Sequence, residues 1–113
     1  MTKILDSIKK LLGIPTSVSD FDDALILNIN SAFTSLLLLG AGPDVQFELE
    51  TGDETWSDFM TDAPSAIKTY IYLSVRLTFD PPKTSFELNS IENQIQKLEF
   101  QINTITDEEV VYE

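Results

Sequence analysis

The chain has 113 residues, with 19 acidic and 7 basic side chains but neither histidine nor cysteine, which gives a formal net charge of -12. Thiolate and imidazole are the main protein ligands of zinc, copper and haem, and nucleophilic triads depend on a histidine base. We therefore predict no catalytic residues, no cofactor and no metal site. Hydrophobic residues make up 42% of the chain, enough for the core of one domain, so the acidity belongs to a folded protein.

No feature of the sequence indicates export or membrane insertion. Asp6, Lys9 and Lys10 interrupt the apolar stretch that a secretory signal would need at the start. The apolar run Leu36 to Leu39 is far shorter than the roughly 20 residues that cross a bilayer. Because cysteine is absent, nothing points to an oxidising compartment. We expect a soluble, intracellular protein.

Two helices are predicted before residue 41. The first has an amphipathic stripe and ends at Gly13. Its stripe consists of Ile4, Leu5, Ile8, Leu11 and Leu12. The second has acidic residues in its first turn, where the helix dipole favours negative charge, and it stops at Gly40. The candidate caps are Ser19 and Asp20, and the first-turn acids are Asp22 and Asp23. This second helix is apolar on more than one side, so we expect it to be central.

Residues 44–62 form an acidic insertion with seven carboxylates and no base. A short half-buried extended stretch is predicted by apolar residues that alternate with polar ones: Val45, Phe47 and Leu49. Residues 51–54 have the composition of a turn. A single helical turn is predicted by the spacing of Trp56, Phe59 and Met60.

The segment after Pro64 is ambiguous from its pattern alone. Every second residue from Ile71 to Phe79 is apolar, which is typical of a strand. A helix is equally supported, because Pro64 suits a first helical position, Asp62 can cap it, and the segment is long for a strand. The residues themselves leave strand and helix equally open.

The last long segment is predicted to be a helix that packs lengthwise against another helix. Thr84 and Glu87 match a capping box at its start. A packing seam then repeats at steps of three and four: Leu88, Ile91, Ile95, Leu98 and Ile102. We predict a helical domain over residues 1–105 and an acidic C-terminal tail over residues 106–113.

The order of these segments resembles that of the head-to-tail connector (adaptor) proteins of tailed bacteriophages. The resemblance covers roughly residues 4 to 102 and depends on the order and spacing of the segments together. They are ILDSIKKLLGIP, DFDDALILNINSAFTSLLLLGAGP, ETWSDF, IKTYIYLSVRLTFDPP and ELNSIENQIQKLEFQI.

This resemblance implies a mainly α fold, a small antiparallel bundle of about four helices, and it favours a helix for the ambiguous segment. It also implies a structural virion protein at the head-to-tail interface that is assembled in the host cytoplasm. About a dozen copies would form a ring between the portal protein and the stopper or tail-completion protein. DNA would pass through the central channel without specific binding.

Two segments are candidates for contact with partners. The acidic insertion is expected to line the channel or to face a neighbouring subunit through Glu48, Glu50, Asp53 and Glu54. The apolar triplet Val110, Val111 and Tyr112 on the acidic tail is expected to dock on the portal or on the next ring component. Such segments often become ordered only on assembly.

Two other functions are considered. An acidic DNA mimic that inhibits a nucleic-acid-binding protein would suit the size and charge, but it needs carboxylates spread along a surface. Eleven of the twelve excess negative charges instead lie in residues 44–62 and 107–113, and the helices are nearly neutral. An enzyme with paired carboxylates is not favoured, because no pair is marked out among so many acids.

Overall fold

A computed structural model describes the backbone of residues 3–43 and 45–111 and the side chains as far as residue 104. This part of the chain forms five helices and no strand, which confirms the mainly α bundle. The helices are α1 (Ile4–Leu12), α2 (Asp22–Leu38), α3 (Trp56–Phe59), α4 (Ser65–Phe79) and α5 (Ser85–Val111). Four of them are longer than two turns, and α3 is a single turn within the acidic insertion.

Helices α2 and α4 form the centre of the bundle. The start of α2 meets the end of α4, where the rings of Phe21 and Phe79 pack edge to face with centroids 5.6 Å apart. The two helices are therefore antiparallel. Their buried residues are Leu25, Ile29, Ala32, Phe33 and Leu36 from α2 and Ile67, Tyr70, Ile71, Leu73 and Val75 from α4. The ambiguous segment is thus a helix, as the resemblance implied.

Helix α5 packs antiparallel on α4 through the predicted seam. Ile91 and Ile102 are buried, while Leu88, Ile95 and Leu98 are partly buried. The Tyr70 hydroxyl of α4 donates a hydrogen bond to Glu99 Oε2 of α5 at 3.0 Å. Burial raises the pKa of the Tyr70 hydroxyl, and the Glu99 carboxylate raises it further. The α5 backbone remains helical to Val111, so residues 106–111 continue this helix.

The predicted caps of α2 and α4 are wrong. Phe21 occupies the N-cap of α2 and Pro64 that of α4, and neither position has a side-chain cap. Ser19 instead supplies its backbone carbonyl to the N–H of Asp22 at 3.2 Å. Asp62 lies in the left-handed region with φ of 55°, two residues ahead of the cap position, where its side chain cannot serve the first turn of α4.

The start of α5 follows its prediction. Thr84 Oγ1 accepts the backbone N–H of Glu87 at 3.2 Å, as a capping residue does. The Glu87 side chain reaches back to the side chain of Thr84, whose hydroxyl donates to Glu87 Oε1 at 3.2 Å. This pair fixes the point at which the chain enters α5 after Pro81 and Pro82.

The apolar stripe of α1 is only partly buried. Ile4, Leu5 and Ile8 are in the core, whereas Leu11 is 54% exposed. Lys9, which lies outside the predicted stripe, is buried, at 1% exposure. The prediction was therefore wrong for Leu11, because at the C-terminal end of α1 the bundle covers the side that carries Lys9.

The expected extended stretch does not form a strand within the described residues. Phe47 and Leu49 do face the core, but Val45 is 73% exposed. The backbone of Leu49 is bonded to a side chain of α2 and has no strand partner. Lys3 and Thr55 form an isolated antiparallel bridge at the edge of this region.

Candidate assembly surfaces

The acidic insertion is held against the bundle by Asn30 of α2. Asn30 Nδ2 donates to the Leu49 carbonyl at 3.1 Å, and its Oδ1 accepts the Leu49 N–H at 2.7 Å. The rings of Phe33, Phe47 and Phe59 also meet, with centroids 4.7 to 5.4 Å apart. This part of the insertion is therefore ordered within one subunit and does not depend on assembly for its position.

The carboxylate of Glu54 organises the turn that precedes α3. Its two oxygens accept the backbone N–H groups of Glu50, Thr51 and Gly52 at 2.8, 3.2 and 3.0 Å. Desolvation acts to raise the pKa of Glu54, but these backbone donors outweigh it and leave the pKa below its usual range. Glu54 is thus an internal structural group of the turn.

The other three predicted acids of this loop differ in their surroundings. Asp53 Oδ1 pairs with Lys3 Nζ at 2.9 Å across two exposed side chains. The hydrogen bond and the charge of Asp53 raise the pKa of Lys3. Glu48 and Glu50 are exposed, and their carboxylates form no ion pair within the described residues. Of the four predicted loop acids, these two are therefore the ones without an internal contact of their carboxylates.

A capping box that sequence reasoning missed starts α3. Thr55 Oγ1 accepts the Asp58 N–H at 3.4 Å, and Asp58 Oδ2 accepts the Thr55 N–H at 2.9 Å. The spacing of threonine and a carboxylate three residues later was the available signal. This box fixes Trp56, whose indole N–H donates to Ser7 Oγ at 3.0 Å.

Trp56 lies in an open groove between α1 and the start of α4, which we call the lysine groove. Its volume is about 740 Å³, and its apolar lining consists of Leu11, Ile14, Pro15 and Trp56. Lys10 and Lys68 also line it, and Lys68 Nζ lies 5.5 Å from the centroid of the Trp56 ring. Asp6 is the one acid among the described residues that line the groove. The lysine groove therefore combines an apolar floor with excess positive charge.

The position of the lysine groove depends on the buried Lys9. Lys9 Nζ donates to the carbonyls of Thr16 and Val18 at 3.2 and 2.6 Å and to Asp22 Oδ1 at 2.8 Å. These contacts tie α1 to the following loop and to the first turn of α2. Sequence reasoning missed this role, because Lys9 looks like any lysine on the polar side of an amphipathic helix.

A second cavity of about 320 Å³ lies where α4 begins, against Ile102 of α5. Among the residues that the structure describes, its lining includes Gly42, Phe59, Met60 and Pro64 and contains no charged side chain. Gly42 has φ of 86°, and its Cα lies against the Phe59 ring. The described residues of its lining carry no charge, and in that respect this cavity differs from the lysine groove.

Several large apolar side chains are exposed on the outer faces of the long helices. Leu27 and Leu38 of α2 are 72% and 84% exposed, and Phe86 and Phe100 of α5 are 83% and 74% exposed. A contiguous patch of such side chains is typical of a surface that meets another protein, whereas single exposed ones are common on any protein surface. These residues were not singled out from the sequence, because they fall within otherwise regular helical patterns.

No group of three or more potential metal ligands occurs in the part of the chain that the structure describes. Within the same part, no helix is both long and apolar enough to cross a membrane. The side chains of the predicted docking residues Val110, Val111 and Tyr112 lie outside the described residues.

Comparison with protein families decides what kind of protein carries these surfaces. A family model described as "Phage connector protein" matches residues 4–109. The chain belongs to this phage connector family. No curated protein and no solved structure matches the chain significantly.

Membership makes the connector a structural protein of the phage particle. The match begins at the first residue of α1 and ends within α5, so it takes in the bundle, the acidic insertion and the lysine groove. Connectors of this family assemble with other head and tail proteins. The surfaces described above are therefore the places to look for such contacts.

Proposed function

We propose that this connector is a head-to-tail adaptor. About a dozen copies associate into a ring between the portal protein and the stopper or tail-completion protein, and DNA passes through the central channel. The ring assembles in the host cytoplasm and remains in the virion. The family match over residues 4–109 carries the proposal.

The exposed apolar residues of two different helices support repeated association of the subunit. A closed ring needs two different faces on each copy, which meet head to tail around an axis. Helices α2 and α5 both carry exposed large apolar residues on faces turned away from the core. Contacts within the subunit position the core and the insertion, which leaves these side chains on the outside of the bundle.

Oligomeric mass tests the proposal. The purified chain should be measured by native mass spectrometry alone and after mixing with the purified portal protein of the same phage. We expect a single cyclic species on the portal, whether the free chain is monomeric or already a ring. A chain that forms no ring alone and does not bind the portal would overturn the proposal.

Within such a ring, we place the acidic insertion toward the channel. Exposed carboxylates repel DNA phosphates over a screening distance of about 8 Å at physiological salt, so they would let DNA pass without adhering. Glu48 and Glu50 are the two acids that suit this role, because Asp53 is paired with Lys3 and Glu54 holds a turn. The proposal therefore keeps two of the four acids predicted for this role, Glu48 and Glu50.

Charge reversal tests the orientation of the loop. Changing Glu48 and Glu50 to lysine should impair DNA packaging or ejection while ring assembly is retained. Changing Asp20 and Asp80 to lysine is a matched control, because both are exposed and the change in net charge is the same. If the first pair abolishes ring formation or portal binding instead, the loop is an interface and does not line the channel.

The alternative of an acidic DNA mimic gains no support from the insertion. Mimicry requires free carboxylates spaced along an extended surface. Two of the four predicted loop acids are already engaged within the subunit, Asp53 with Lys3 and Glu54 with three backbone N–H groups. Competition with DNA for a basic protein would be the measurement that favours mimicry.

A further inference from the structure

We infer that the lysine groove of one subunit binds the acidic C-terminal segment, residues 107–113, of a second copy of the chain. The inference rests on the proposed ring, to which it adds a specific contact between neighbours. It combines the chemistry of the groove, the chemistry of the segment and the direction of α5.

The two partners are complementary in charge and in polarity. The lysine groove has an apolar floor that includes Leu11, Ile14 and Trp56, with Lys10 and Lys68 beside it, and Asp6 is the one acid in its described lining. Neither lysine forms an ion pair within the described residues. Residues 107–113 have the sequence DEEVVYE, four acids around an apolar triplet. Such a segment can place apolar side chains on the floor and carboxylates beside the lysines.

The second cavity, beside Ile102, is a poorer match for the same segment. None of the described residues that line it is charged, so the carboxylates of residues 107–113 would find no cation among them. Burying a carboxylate without a partner is costly, whereas an exposed ion pair costs little. The lysine groove is therefore the better acceptor.

The course of α5 directs the segment to another copy. Ile102 is the last buried residue of α5 among the described side chains, and the helix continues through residues 103–111, roughly 13 Å further at 1.5 Å per residue. A continuous helix does not turn back into the groove of its own chain, which lies between α1 and the start of α4. In the proposed ring, this end of α5 is then available to a neighbouring copy.

A peptide measures this contact apart from ring formation. The synthetic peptide of residues 105–113 should bind the full-length chain in isothermal titration calorimetry. Changing Lys10 and Lys68 to glutamate should weaken binding by about tenfold, because two favourable charge pairs become repulsive. The matched control changes Lys83 and Lys97 to glutamate, two exposed lysines outside the groove, and should leave peptide affinity within twofold. Circular dichroism checks that both variants fold.

A charge swap tests the contact in the full chain. Changing Asp107, Glu108 and Glu109 to lysine should reduce ring formation on the portal, and adding K10E and K68E to the same chain should restore it. Equal loss of peptide binding in the groove and control variants would overturn the inference, as would a peptide that binds only the portal. If the wild-type chain forms no ring but the peptide binds the groove as described, the proposed ring fails and the groove contact stands.

Discussion

Lys9 Nζ lies 2.8 Å from Asp22 Oδ1, and the lysine side chain is only 2% exposed whereas that of the aspartate is 29% exposed. The two partners are therefore unequal. Asp22 can be hydrated if its partner is lost, but Lys9 has only Asp22 and two backbone carbonyls for its charge.

Changing Asp22 to alanine should therefore destabilise the protein strongly. We expect the free energy of unfolding to fall by about 3–5 kcal/mol, because a buried ammonium is left without its counter-ion. Asp23→Ala is the matched control, since Asp23 is exposed in the same first turn of α2, and it should cost less than about 1 kcal/mol. Urea unfolding followed by circular dichroism measures both. Equal losses would mean that the ion pair adds nothing beyond the helix dipole.

Glu54 should make stability depend on pH in the acid range. Its pKa in the folded state lies below the usual value of 4.5, so its contribution is present above that pH and is lost as the pH falls through the folded pKa. Glu54→Gln should lower stability at pH 7 by about 1–2 kcal/mol, because an NH₂ group that cannot accept a hydrogen bond replaces one of the two carboxylate oxygens that accept the turn's N–H groups. It should also flatten the decline in stability below pH 4.5.

Glu50→Gln is the control for this experiment. The Glu50 carboxylate forms no hydrogen bond within the described residues, although its backbone N–H donates to Glu54. We expect its unfolding curves to match those of the wild type at each pH. A Glu54→Gln variant with an unchanged pH profile would contradict the structural role of the carboxylate.

Gly42 and Gly13 form a second matched pair. Both have positive φ, 86° and 82°, but a Cβ at Gly42 would come within 2.5 Å of the Phe59 ring, whereas nothing lies within 4 Å at Gly13. Gly13→Ala should cost about 1–2 kcal/mol for the left-handed conformation alone. Gly42→Ala adds about 1–3 kcal/mol of overpacking. Thermal unfolding should rank Gly42→Ala below Gly13→Ala, and the reverse order would show that the Phe59 ring moves aside freely.

Removing the side-chain amide of Asn30 should release the acidic insertion. Asn30→Ala leaves both backbone groups of Leu49 without their partner, at a cost of about 1–3 kcal/mol. Hydrogen exchange at the Leu49 amide should accelerate more than exchange within α4. Asn28→Ala is the control, because Asn28 lies two residues earlier in α2 and its side chain forms no hydrogen bond within the described residues, and it should leave Leu49 protected. Unchanged protection in Asn30→Ala would mean that the aromatic cluster alone holds the insertion.

The sequence predicted the helices well because their signals are local. The seam of α5 and the acids in the first turn of α2 are read directly from spacing. Helix α4 gave an ambiguous pattern, since α2 and α5 both pack on it and it is apolar on several sides, including Tyr70 and Leu73. In such a helix, apolar residues can fall at every second position and so give the pattern of a strand.

The features that could not be predicted depend on contacts between distant segments. Nothing near Lys9 in the sequence shows that Asp22 will lie beside it, and Glu54 looks like any other acid of the insertion. The lysine groove joins Lys10 of α1 to Lys68 of α4, which only the fold brings together. Charge counts along the chain located the acidic segments. Only the fold shows which of their carboxylates make internal contacts and which are exposed.

Trp56 is the one tryptophan of the chain. It is 7% exposed, donates a hydrogen bond to Ser7, and lies beneath Lys68 at the lining of the lysine groove. Its intrinsic fluorescence therefore comes from a single site with known neighbours. Emission should shift to longer wavelength when the bundle unfolds, and quenching by acrylamide should fall when the groove is filled. The protein thus contains its own optical reporter, and no label is needed to follow folding or groove occupancy.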